Sequence, residues 1–137
     1  MKHLYGDVKV KKLNEVDEHY DNSNITLYFA EGNHGDSMLF DGIDGELAHS
    51  CSLSNTQSPF RGHVHLDDSE NWNKGNRLMS VLLHQIGHLF GLDHSSNPKS
   101  VMSPLFNFQD PTLLEEDIRN LRVILGLDAS KFSVTNF

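Results

Sequence analysis

A single cysteine, Cys51, stands in the 137 residues, so no disulfide can close within the chain. It reads as a small buried apolar group. No apolar run is long enough to cross a bilayer. Met1-Lys2-His3-Leu4-Tyr5 has none of the apolar core of a signal peptide. Basic residues are also scarce, 11 against 19 acids, for a net charge of −8. That balance excludes a general binder of nucleic acid or of anionic membranes. Internal repeats and low-complexity tracts are absent, and the length suits one domain with one core. Histidine, by contrast, is abundant at nine copies, and that excess points to metal.

Hydropathy patterning predicts the elements. Val8 to Leu13 alternates Val and Lys as a half-exposed strand would. Asn14 to Asn24 is an acidic loop, and Ile25 to Ala30 is an apolar, β-favouring run expected to be a buried strand. A glycine- and aspartate-rich loop runs from Glu31 to Glu46. It leads into brief strands at Leu47–Ser50 and Gly62–Leu66, with a loop from Ser52 to Arg61 between them. Asn73 to Phe90 is the main predicted helix, with Leu78, Val81, Leu82, Ile86 and Leu89 as its core stripe. Phe106 to Pro111 reads as loop. Thr112-Leu113-Leu114-Glu115 fits a capping box opening a second helix to about Leu125, with Gly126 as its stop. The tail beyond Asp128 carries no strong signal.

The main helix ends in His84-Gln85-Ile86-Gly87-His88-Leu89-Phe90-Gly91-Leu92-Asp93-His94. His84 and His88 lie one turn apart on one helix face, so both imidazoles can reach one ion. Gly91 offers a left-handed turn that lets His94 approach as a third ligand. Three nitrogens leave a tetrahedral zinc one open position, the arrangement of a catalytic site.

Together with Ser100-Val101-Met102-Ser103-Pro104, this stretch resembles the zinc motif and Met-turn of metzincins, except that Gln85 stands where that family has glutamate. His34-x-Asp36, Phe40-Asp41-Gly42, Leu47-Ala48-His49 and Val64-His65-Leu66-Asp67 narrow the likeness to the matrixins, from about Asp7 to Gly126. The resemblance implies an α+β, zincin-like fold: a small mixed sheet over the zinc helix, a Met-turn and a C-terminal helix, in one domain over residues 1–137. It implies a structural zinc on His34, Asp36, His49 and His65. It also implies a calcium on the side chains of Asp41, Asp67 and Glu70 and the backbone oxygens of Gly42, Asp44 and Glu46. Four protein ligands close the first site to substrate, and hard oxygens on a glycine-rich loop suit calcium. Leu47, Ala48, Ser80, Pro104 and Phe106 are then the substrate-binding positions. Ser80 is at the position that limits pocket depth, so the pocket is expected to take Leu or a longer apolar side chain. Met102 is an apolar floor under the zinc.

Some segments depart from the family pattern. Pro59-Phe60-Arg61-Gly62-His63 replaces a calcium loop, so a second calcium is not expected. The family's first strand and helix and its inhibitory propeptide cysteine have no counterpart here. In the family, the glutamate after the first histidine takes a proton from water and passes it to the leaving amine. Gln85 resembles it in shape but cannot accept that proton. The leading expectation is a zinc endopeptidase domain, acting on extended peptides or matrix-type proteins, whose base has been exchanged. The alternative is a natural pseudoprotease serving as a zinc-containing peptide-binding or decoy module. The resemblance further implies an extracellular monomer and proteinaceous metalloprotease inhibitors as partners, with no nucleic acid or membrane involved.

Overall fold

A computed structural model describes residues 25–106, 108 and 111–126. The strand expected at Val8–Leu13, the loop after it and the tail beyond Asp128 lie outside the described residues.

The strands are β1 (Thr26–Ala30), β2 (Ala48–Ser50) and β3 (His63–Asp67), in the spatial order β1-β3-β2. β1 runs parallel to β3 and β2 antiparallel to it, so the sheet is mixed. Alternation sorts side chains onto two faces. On one, Ala48 is opposite Leu66 and Ser50 opposite Val64; on the other, His49 is opposite His65. The first face meets helix α1 (Arg77–Phe90), where Ala48, Leu66 and Val81 form the buried core. The second face is left for the histidines and the loop above them.

β1 differs from the fully buried strand expected of its composition. Leu27 and Phe29 are 47% and 48% exposed, because α1 packs against β2 and β3 and leaves their flank at β1 half open. The main helix also begins later than Asn73. Gly75 has φ +52°, outside the right-handed helical region, and the first helical hydrogen bond runs from Ser80 N–H to the Asn76 carbonyl at 2.9 Å. Val81 and Leu89 are fully buried as expected, while Ile86 is only half-buried; His84 and Gln85 are buried beside the core residues.

Gly91 ends α1 with φ +102°. Its N–H reaches the His88 carbonyl and the Leu92 N–H the Gly87 carbonyl, each at 2.9 Å, which is a Schellman closure. Helix α2 (Glu115–Ile124) packs against α1. Its N-cap is Leu114 rather than Thr112. Asp117, not Glu115, reaches back to accept the Leu114 N–H at 2.9 Å, because the first helical turn starts later than the capping-box pattern implied. Gly126, at φ +64°, follows the C-cap.

Candidate metal centres and cleft

Two clusters of ligand atoms converge among the described residues. The first lies between the 31–46 loop and the sheet. His34 Nε2 is 3.2 Å from His49 Nε2 and 3.0 Å from His65 Nδ1, and the last two are 3.1 Å apart. Asp36 Oδ2 is 3.1 Å from His34 Nε2 and 2.7 Å from each of the other two nitrogens. A tetrahedron of zinc bonds of ~2.0 Å has edges of roughly 3.3 Å, so this donor set fits zinc. Nitrogens at these separations are held by alternate strand positions on β2 and β3 and by a loop that folds over them. His34 Nδ1 donates to the Gly32 carbonyl at 3.0 Å, which leaves Nε2 free to ligate. Phe40 stacks on His34 and His49 and shuts out water.

Burial lowers the pKa of His65 to about 4, against the opposing pull of Asp36. Burial tends to raise the Asp36 pKa, but the Met38 N–H and the His49 contact outweigh it and hold the carboxyl at about 2. Both groups are therefore in their ligating forms at neutral pH.

The second cluster is carried by α1 and the turn after it. His88 Nε2 and His94 Nε2 are 3.0 and 3.3 Å from His84 Nε2. His84 Nδ1 donates to the Val101 carbonyl at 2.7 Å and His88 Nδ1 to the Leu92 carbonyl at 2.8 Å, so in both rings Nε2 presents its lone pair. Burial lowers the pKa of His84 to about 4 and also lowers that of His88. Met102 is buried below the helix. A Cβ on Gly87 would meet its Sδ at 2.3 Å, so only glycine lets the helix lie this close to the sulfur. Ser100 Oγ binds both the Met102 N–H and the Asp117 carboxylate, tying this turn to α2.

These histidines open into a cleft of about 650 Å³, whose walls include Leu47, Ala48, Pro104 and Phe106. Ser50, Arg77 and Phe108 also line it, although none of the three is among the substrate-binding positions named above. Alternation two residues beyond Ala48 was a usable signal for Ser50. No pattern pointed to Arg77, whose guanidinium binds Glu70 at 2.7 Å beside the Phe108 and Trp72 rings. Ser80 is buried and lines a separate cavity of about 10 Å³ behind Phe106, together with Lys99 and Ser103, rather than the main cleft.

Gln85 lies between the second cluster and β2. Its Nε2 donates to the Ala48 carbonyl at 3.1 Å, and its Oε1 accepts from Ser50 Oγ at 2.8 Å.

The acids assigned to calcium are spread more widely. Asp41 is exposed and its Oδ1 accepts the Glu46 N–H at 2.8 Å; Gly42, Asp44 and Glu46 continue the same loop. Asp67 and Glu70 are buried. Asp67 Oδ1 accepts from Ser69 N–H, and Glu70 Oε2 pairs with Arg77. Asp67 Oδ2 and Glu70 Oε1 are buried with no hydrogen-bond partner. Among the described residues, the three acids do not draw together as tightly as either histidine cluster.

Comparison with known proteins agrees with this geometry. The chain is 34% identical over 139 residues to rat macrophage metalloelastase, covering 97% of this chain and 29% of that protein. It is 35% identical over 131 residues to human matrix metalloproteinase-15, covering 89% of this chain and 18% of that protein. With mouse matrix metalloproteinase-25 it shares 39% over 98 residues, 67% of this chain and 16% of that protein. The chain thus spans under a third of the length of these relatives. The matrixin peptidase family model matches residues 6–126, and with the relatives above it shows that this chain belongs to the matrixins, a family that uses zinc.

Proposed function

We propose that this domain is a zinc endopeptidase scaffold that holds extended peptides or matrix-type proteins along β2, and that Gln85 leaves it inactive or strongly impaired. One observation carries the reading: the Nε2 atoms of His84, His88 and His94 converge on one point inside an open cleft. Zinc held there supplies Lewis-acid polarisation of a carbonyl and acidifies water. The chain's own residues do the rest. Gln85 occupies the general-base position and cannot take a proton. Leu47, Ala48, Pro104 and Phe106 wall the peptide path, and Met102 underlies the helix as a Met-turn.

His34, Asp36, His49 and His65 hold a second, structural zinc. Asp67 and Glu70, each with an unpartnered buried oxygen, are the core of a calcium site completed by Asp41, Gly42, Asp44 and Glu46. We place the domain outside the cell, as a monomer open to proteinaceous metalloprotease inhibitors.

A second reading, a natural pseudoprotease that binds peptides without cutting them, is favoured by the pairing of Gln85 with groups of β2 at both ends of its amide. The deciding experiment measures cleavage of a fluorogenic collagen-like peptide by the parent and by Gln85→Glu, with zinc and calcium present. The protease reading expects the variant to cut about 10²–10⁴-fold faster. If neither cuts although zinc is bound, the binding-module reading takes its place.

A further inference from the structure

The hydrogen bonds of β2 alternate in direction. The Leu47 carbonyl accepts from Asp67 N–H at 2.9 Å, His49 is registered against His65, and Cys51 N–H donates to the His63 carbonyl at 3.0 Å. Residues 47, 49 and 51 thus direct their backbone groups to β3. The N–H and carbonyl of Ala48 and Ser50 point the other way, to the outer edge of β2. That edge lines the cleft. An unpaired edge of this kind can take up an extended peptide as an added strand, main chain to main chain.

Ala48's outward carbonyl is already engaged. Gln85 is 7% exposed, and its Nε2 donates to this oxygen at 3.1 Å. A carbonyl only accepts, so the amide orientation is fixed, with –NH₂ toward Ala48 and Oε1 toward Ser50. Ser50 Oγ donates to Oε1 at 2.8 Å and lies 3.3 Å from the Gln85 carbonyl, pinning side chain and helix together. Both ends of the amide are spent on β2.

We propose that Gln85, positioned by Ser50, is an internal occupant of the peptide-docking edge: it takes the Ala48 carbonyl that an incoming peptide N–H would otherwise use. The Ser50 hydroxyl has a positioning role here, since Oγ binds the Gln85 side chain. The inference rests on the reading of the β2 edge as the peptide site. It also accounts for why glutamine and glutamate differ at this position by more than basicity. A carboxylate has no proton to give the Ala48 carbonyl, so it leaves that oxygen to the peptide and turns its own oxygens to the cleft.

Anisotropy of a dye-labelled collagen-like peptide tests this on zinc-loaded protein in three forms: parent, Gln85→Met and Ser50→Ala. Each is checked for zinc content and Tm. Methionine keeps the length without the hydrogen bonds. Releasing one hydrogen-bonded carbonyl is expected to tighten binding by about 3- to 10-fold in Gln85→Met, and by roughly 2-fold in Ser50→Ala. Methylating the peptide's main-chain nitrogens one at a time supplies a reading that a purely structural role would not move. One position should cost little in the parent and at least about 3-fold in Gln85→Met. Should Gln85→Met fail to load zinc, Ser50→Ala decides by the same two readings, because it leaves Gln85 in place. Equal affinities, with no methyl position changing its cost, overturn the occupancy of Ala48 alone. Absence of peptide binding in all three zinc-loaded proteins overturns the β2 edge as a peptide site as well.

Discussion

The two histidine clusters offer similar donors but are built in opposite ways. The loop cluster draws its ligands from three separate places, the 31–46 loop, β2 and β3, and closes around four atoms. The helix cluster takes two ligands from one rigid element and the third from the turn after it, and leaves a side open to the cleft. In the first, a metal would join parts of the chain that bury little apolar surface; in the second, two of the three histidines sit on a helix that packs against the core. On the proposed reading, the same donor type would serve as a staple where the backbone is irregular and as a reactive centre where it is regular.

The largest effect should come from breaking the staple. His65→Ala removes the ligand at the centre of the loop cluster. Structural zinc sites supply on the order of 10 kcal/mol to small domains, so we expect a loss of at least ~3 kcal/mol and a Tm lower by roughly 15 °C. A His65→Ala protein with an unchanged Tm would mean that metal is not what holds the loop.

His94→Ala should do the converse. His94 lies outside the helix and is exposed, so Tm should move by no more than about 3 °C, as for other surface changes. Affinity for zinc at the cleft should nevertheless fall by more than ~100-fold, read as zinc retained against a chelator and as loss of hydroxamate binding. Large unfolding in this variant would erase the distinction between the sites.

Acid sharpens the comparison with a smaller effect. In metal-free protein, His65 and His84 have folded pKa values lowered from 6.5 to about 4, so the unfolded chain binds protons first. Stability is therefore full above about 6.5 and falls as pH drops toward 4. Below that, the loop cluster alone continues to lose through Asp36, whose pKa is lowered from 3.8 to about 2. Tm of chelator-treated protein against pH should show both ranges. A flat profile between 6.5 and 4 would contradict the burial of these rings.

Ligand positions were legible in the sequence because they follow periods the backbone enforces. His84 and His88 share a helix face, and the alternation of β2 and β3 puts His49 beside His65. Gly91 was legible for a similar reason, since a left-handed turn favours glycine. Boundaries set by hydrogen-bonding competition were less so. The start of α1 is decided by the backbone at Gly75, and the start of α2 by which acid reaches the Leu114 N–H. Exposure of Leu27 and Phe29 depends on how far α1 extends across the sheet, which composition does not encode. Ser80 lines a small cavity with Phe106, Lys99 and Ser103 rather than the cleft, and the Gln85 contacts depend on a strand meeting a helix that is distant in the chain.

β2 is three residues long, and consecutive side chains on it serve different masters. His49 turns up into the loop cluster; Ala48 packs its side chain in the core and gives its carbonyl to Gln85, and Ser50 turns its hydroxyl down to Gln85. One peptide unit separates the two centres, with no intervening layer to absorb error. The carbonyl and hydroxyl that Gln85 contacts belong to the residues on either side of His49, so any shift of His49 bears directly on both. The strand is a gauge block between two fittings, and a change made to suit one is expected to be felt at the other.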